Sequence, residues 1–284
     1  MEAAMAFRNI LLLAGAGPVA AARADYAVRL AEKHDAHLTA IYCVPPIDLP
    51  AHVEAMIPAP VRAMQAEAAA KTAAEAKAAF EAVGRRTGRS ARVEWREAAG
   101  DALSRLTLDS RYADLVVVGQ GDPDAPSAEG PVDLPGALAL AAGRPVLAVP
   151  YAGKFSTLGE RVLVAWNAGR EAARAVNDAL PVLKLAKSVA VLAVNPRGGA
   201  ARHGEQPGAD IALHLARHGV KAEAMRAISD EIDPGDVILS RAADIGADML
   251  VMGAFGRSRL RELVLGGVTR HILKHMTVPT VLSH

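Results

Sequence analysis

The chain has 284 residues, enough for two ordinary domains. Hydrophobic residues supply 51% and charged residues 22%, which excludes a disordered polar chain and leaves each half apolar material for a core. The near-balance of 32 basic and 31 acidic side chains and the 4% aromatic content exclude a basic nucleic-acid surface and a base-stacking platform. A single cysteine, Cys43, excludes an intramolecular disulfide framework and a cysteine-rich metal cluster.

In chain order, the first apolar run extends from Ile10 to Ala22 and is followed by Ala22-Arg23-Ala24, the outline of a secretory leader. Glu2 offsets Arg8 ahead of it, Gly15, Gly17 and Pro18 interrupt it, and the same element returns in mid-chain. It therefore reads as part of the fold: a strand, a turn and the start of a helix. With no run long enough to span a bilayer, a cytoplasmic protein is expected. A second strand starts at His37 (HLTAIYCVPP), and a long Ala/Glu/Lys helix follows from about Val61 to Arg86. Its apolar positions Val61, Met64, Ala68 and Phe80 predict a stripe packed on its own domain or on the other half. Asp101 caps a helix running to Arg111, and ADLVVVG from Ala113 and GRPVLAVP from Gly143 are further strands. Residues Pro150 to Gly159, with breakers Gly153, Ser156 and Thr157, form a linker.

The second half repeats the first. ERVLVAWN from Glu160 answers RNILLLAG from Arg8, SVAVLAVNPR from Ser188 answers the second strand, and ADMLVMG from Ala247 lies 134 residues after its counterpart. Pro145 and Pro279 are also 134 residues apart, whereas the first strands are 152 apart, so the extra residues belong to the long Ala-rich helix. Asp233 followed by Pro234 marks a helix start. Short apolar strands without alternation, separated by helices, predict an α/β fold of two tandem doubly wound, Rossmann-like parallel-sheet domains, residues 1–152 and 153–284. Such sheets bind ligands at the carboxyl ends of their strands, where strand order reverses.

One stretch carries chemistry: VMGAFGRSRLRELVLGGVTRHIL, from Val251 to Leu273. Gly253 and Gly256 at a strand end allow close approach of a ligand. Gly266 and Gly267 open a helix whose free N–H groups favour an anion, and Arg257, Arg259 and Arg261 lie between. The bland alternative is a glycine-capped loop with a solvated basic edge. The spacing G-x2-G-x9-G-G resembles the G-x2-G-x9-G-[S/T] signature of the universal stress protein family, and the resemblance covers the whole chain as a tandem pair. It implies an adenine nucleotide, ATP with ADP or AMP as variants, between the first and fourth strands of the second domain. Ala165 and Asn167 would flank the base at the end of the first strand, and Val194 would do so from the second. Gly253, Gly256 and Arg257 would meet ribose and phosphates, and Gly266, Gly267 and Val268 the phosphates at the helix start, with Thr269 close by in sequence. Two positions depart from the family pattern. Asn167 replaces its Asp, and Gly267 replaces its Ser or Thr, which removes a hydroxyl worth about 1 kcal/mol of hydrogen bonding. The resemblance also implies that the two domains join through edge strands. A monomer and a further homodimer are both compatible with the sequence.

In the first half, Asp122 stands at the place of Gly256, and Val132 and Asp133 at those of Gly266 and Gly267, so phosphate would be repelled there. Gly15-Ala16-Gly17-Pro18-Val19-Ala20 matches a dinucleotide-binding fingerprint, but no acidic residue ends the second strand, and an NAD-dependent dehydrogenase is the remote alternative. The pairs His214/His218 and His271/His275 have metal-ligand spacing without a third ligand, and read as capping or solvated. Cys43 reads as a buried structural thiol. Nucleophile, Walker and pyrophosphatase motifs are absent, so no catalytic residue is expected, with slow ATP hydrolysis at most. The expectation is a stress-response nucleotide-binding or signalling module. The rival is a nucleotide-independent interaction protein with protein partners as yet unidentified.

Overall fold

The computed structural model describes residues 6–44, 57–86, 92–121, 131–196, 206–229, 231–256 and 267–284. The first half runs β1 (Asn9–Leu13), α1 (Gly17–His34), β2 (His37–Val44), α2 (Ala59–Arg86), β3 (Val93–Ala99), α3 (Ala102–Asp109), β4 (Leu115–Gly119), α4 (Leu134–Ala141) and β5 (Val146–Val149). The second runs β6 (Arg161–Ala165), α5 (Arg170–Asp178), α6 (Leu180–Leu183), β7 (Ser188–Val194), α7 (Ala209–Arg217), β8 (Ala222–Ala227), α8 (Pro234–Asp244), β9 (Met249–Gly253), α9 (Val268–His275) and β10 (Thr280–Ser283). The run from Ile10 to Ala22 is thus a core strand and the start of a helix. No helix among the described residues is long and apolar enough to cross a membrane.

All ten strands share one sheet, ordered β3-β2-β1-β4-β5-β10-β9-β6-β7-β8. Neighbours are parallel except β5 and β10, which pair antiparallel with Val281 opposite Leu147. Each half is therefore a five-stranded parallel sheet, and the two halves are joined edge to edge. The central strands are apolar throughout because both faces are covered. Ile10, Leu12, Leu115 and Val117 point into one core layer, and Leu11, Leu13, Val116 and Val118 into the other. The outer strands β3 and β8 are half-exposed and carry Glu94, Arg96 and Glu97, and Glu223 and Arg226, respectively. Their patterns are too polar to stand out as strands in the sequence, and charge on an edge blunts pairing with other chains.

Helix starts follow the expected chemistry. The Asp101 carboxylate accepts the Ser104 N–H at 2.8 Å, and that of Asp233 accepts the Gly235 N–H at 2.7 Å ahead of Pro234. The stripe expected on α2 is corrected: Phe80 is buried with Ala73, Ala76 and Val83, but Val61, Met64 and Ala68 are exposed. The reason is length. With 28 residues α2 outreaches the 18-residue α1 on which it packs, so among the described residues its amino-terminal half has no neighbour to bury against.

The linker is docked on α1. Arg29 donates to the carbonyls of Phe155 and Ser156 at 2.6 and 3.1 Å, and Lys33 to that of Leu158 at 2.7 Å. Phe155 meets the buried Tyr26 ring edge-on at 6.1 Å. Across the sheet joint, the Gln120 amide donates to the Leu273 and Lys274 carbonyls at 2.9 and 3.1 Å and accepts the Tyr151 N–H at 3.3 Å. Gln120 thus fastens the end of β4 to the carboxyl end of α9.

His34 closes α1, packed on Phe7, with neither ring nitrogen hydrogen-bonded. Burial first, and the neighbouring Lys33 charge second, push its pKa down to about 4. The native ring is therefore neutral where the unfolded ring, titrating near 6.5, takes up a proton. Stability from this site is complete above pH 6.5 and is lost as pH falls toward 4, by about 3 kcal/mol in all. In urea denaturation at pH 7 and pH 4, His34→Leu is expected to shrink the acid loss of stability by about that amount.

Candidate functional site

In the second half the chain reverses its strand order between β6 and β9, since β6 is flanked by β7 on one side and β9 on the other. Helices leaving β6 and β9 go to opposite faces, and a crevice opens at the carboxyl ends of the strands. A cleft of about 350 Å³ occupies this point, lined by Ala165, Trp166, Asn167, Ala172, Leu192, Val194, Asn195, Pro234, Ile238, Met252, Gly253, Gly256, Val268 and Thr269. Of the residues singled out from the sequence, the fold brings together Ala165, Asn167, Val194, Gly253, Gly256, Val268 and Thr269. Gly267 is the N-cap of α9, with its carbonyl accepting the Arg270 and His271 N–H groups at 2.9 and 3.2 Å. Arg257 and Gly266 lie outside the described residues, as does Asp122 of the first half.

The floor of the cleft is apolar, from Leu192, Ile238 and Met252. Its rim is polar. Asn167 turns its Oδ1 onto the Gly169 N–H at 2.8 Å, bracing the turn into α5 where Gly169, the N-cap, has no side chain to do so. Asn195, in the left-handed region at φ 43°, clasps Ser229 through both ends of its amide: Nδ2 donates to the carbonyl at 2.6 Å and Oδ1 accepts the N–H at 2.9 Å. The Thr269 hydroxyl accepts the Phe255 N–H at 3.1 Å, so it secures the glycine loop.

Beside the cleft, Glu171 is buried under the loop, with one oxygen 2.6 Å from Arg170 Nε and the other unpartnered. Burial raises its carboxyl, but the Arg170 guanidinium, the residue's own N–H and the His284 charge outweigh that and hold it below the ordinary glutamate value. The carboxylate is ionised and its charge is balanced by Arg170. The sequence does not single out Trp166, Leu192, Asn195, Pro234, Ile238 or Met252. Their only signal there is position at a strand end or helix start, and the pairing of strands has to be known first.

The first half differs at the matching place. Arg23 of α1 is buried there, donating from Nε to the Leu13 carbonyl at 3.1 Å. Its guanidinium lies over Gly119, the counterpart of Gly253, so closely that a Cβ on Gly119 would stand 2.3 Å from Arg23 Nη1. The matching turn of α5 carries the apolar Ala175 and Val176. Nothing in the sequence marks an arginine for the inside of the crevice.

The remaining candidates have structural roles. His271 Nε2 lies 2.7 Å from Asp236 Oδ1 and struts α9 against α8, and His275 Nδ1 meets the His271 carbonyl at 3.0 Å. No three His, Cys, Asp or Glu side chains are arranged to hold a metal among the described residues. Cys43 is buried at the end of β2, where burial pushes its thiol up to about 11.

The two loop glycines differ in kind. A Cβ on Gly253 would stand 2.5 Å from the Ala172 nitrogen and the Glu171 carbonyl carbon, backbone that cannot yield, whereas among the described residues one on Gly256 would meet nothing nearer than 3.9 Å. By urea denaturation, Gly253→Ala is expected to cost about 1–3 kcal/mol, and Gly256→Ala less than about 0.5 kcal/mol.

Comparison with known proteins agrees with this architecture. The family model described as "Universal stress protein family" matches twice, over residues 6–127 and 159–284. A universal stress protein of Methanocaldococcus jannaschii is 35% identical over 49 residues, which is 17% of this chain and 30% of the length of that relative. The crystal structure of a universal stress protein from Archaeoglobus fulgidus superposes with a TM-score of 0.72 at 16% identity, covering 97% of this chain and 95% of that one. A functionally unknown protein from Pseudomonas aeruginosa does so with a TM-score of 0.55 at 17% identity, covering 98% and 92%. These two likenesses bear on the fold, and the family match on membership: the chain belongs to the universal stress protein family, with two such domains in tandem.

Proposed function

We propose that the second half, residues 153–284, binds one adenine nucleotide, ATP in the first instance, and that the first half, residues 1–152, binds none. The protein is then a cytoplasmic, nucleotide-responsive module of the stress response. The observation that carries this reading is the convergence of Ala165, Asn167, Val194, Gly253, Gly256, Val268 and Thr269 on one cleft. An apolar floor with polar groups at its rim suits a flat heterocycle whose edges hydrogen-bond. The first turn of α9 offers free N–H groups and the positive end of its dipole to phosphate. The charge-balanced Arg170–Glu171 pair adds no net repulsion at short range.

A second reading, a nucleotide-independent interaction protein, draws on the same site. Asn195 and Thr269 already spend hydrogen bonds on the fold, and Gly267 offers no hydroxyl. In that case the loop is a structural relic and the ligands are protein partners.

Titration calorimetry of the full chain with ATP separates the two, after a denatured sample has been checked for co-purified nucleotide. Near one ATP per chain is expected. Gly256→Asp, which places in the second half the residue of the first, should weaken binding at least about tenfold by setting a carboxylate beside the phosphates. Neither heat nor co-purified nucleotide in the wild-type protein would leave the interaction reading standing.

A further inference from the structure

We infer that the first half positions the ligand loop of the second, through the seating of Phe255 on Gly136. Phe255 lies between the two cleft glycines Gly253 and Gly256 and holds φ at 48°, a backbone region that bulky side chains rarely adopt. Such a conformation persists only where surrounding structure imposes it. One constraint comes from the cleft, where the Phe255 N–H is tied to the Thr269 hydroxyl. The other comes from across the joint. The Phe255 ring rests on Gly136, buried within α4 of the first half, and a Cβ there would stand 3.1 Å from Phe255 Cζ and 3.3 Å from Leu273 Cδ1.

Glycine lowers helix stability relative to alanine in the first turn of α4, and its missing side chain is what leaves room for the ring. Gln120 adds a second grip from the first half, on the carboxyl end of the same α9 whose first turn lines the cleft. The loop and the helix that frame the site are thus both held by the half in which Arg23 fills the crevice. Gly136 is a positioning residue. A side chain there displaces the ring, turns the strained Phe255 backbone and releases the Thr269 contact.

The binding part of this inference rests on the proposed nucleotide site, while the coupling itself does not, so two readouts are needed on the full chain. The first is hydrogen exchange of the segment Met252–Gly256 without ligand. The second is ATP titration. Gly136→Val is expected to speed exchange at Phe255 and to weaken ATP roughly tenfold. Phe255→Ala, which removes the ring from its seat, is expected to impair both readouts as well, and in that background Gly136→Val is expected to add little further, because the two act through one contact. If Gly136→Val does not fold, Gly136→Ala makes the same test, because its Cβ still requires the ring to shift. Unchanged exchange in the single variant overturns the coupling, and so does a Gly136→Val defect that is just as large when Phe255 is already alanine. Absence of ATP binding in the wild-type chain overturns the nucleotide reading alone, and exchange then decides the coupling by itself.

Discussion

The antiparallel pairing of β5 with β10 is the constraint on which the molecule depends. A five-stranded parallel sheet has two edges, and the inner one here, with Val146, Leu147 and Ala148, is wholly apolar and buried. Left open, such an edge would recruit other chains. Pairing it with Thr280, Val281 and Leu282 closes both inner edges at once and leaves only the charged β3 and β8 outside. An edge-to-edge joint between two copies of one fold has approximate twofold symmetry, so each half presents the same elements to the other. That is why α4 of the first half comes to face α9 of the second. It is also why Gln120 and Phe255 lie where contacts cross the joint.

The two halves share one fold, and they differ at the carboxyl ends of their first strands. In the second half α5 turns small apolar residues toward the sheet and its backbone lies directly against Gly253. In the first, Arg23 lies inside the crevice, with its Nε on the Leu13 carbonyl. Burying a guanidinium costs far more than burying an alanine, and it is tolerable only with hydrogen bonds to compensate. Arg23 therefore sets a charged, hydrogen-bonded group at a position where the second half has the apolar Ala175.

The fold is legible in the sequence because its strands are apolar runs recurring at a fixed offset, and a repeat is hard to mistake. What the repeat cannot convey is exposure. Val61, Met64 and Ala68 have helical spacing, yet spacing fixes only a common face and says nothing about a neighbour. The edge strands β3 and β8 escape notice for the opposite reason: one side of each has no partner strand, and charge is tolerated there. For the site, a backbone-dictated position such as Gly253 is readable, since a glycine at a strand end marks a close approach of backbone, here that of Ala172. Side-chain positions such as Asn195, Ile238 and Arg23 are not. They reach the crevices only after strand order brings β6 beside β9 and β1 beside β4.

The polar groups at the second cleft already hold parts of the fold. Asn167 braces the turn into α5, Asn195 holds the segment after β8, and Thr269 secures the glycine loop. Such pre-formed contacts lower the gain from each new hydrogen bond, because a partner must be shared or exchanged, but they also remove the entropic cost of ordering the rim. Affinity in such a cleft comes chiefly from the apolar floor and from the start of α9, whose first N–H groups have no carbonyl within the helix to bond. A ligand that draws on that turn pulls on the helix clasped at its far end by Gln120, and on the loop seated against α4. On the proposed nucleotide reading, occupancy of the second half would thereby be felt at the joint where β5 meets β10.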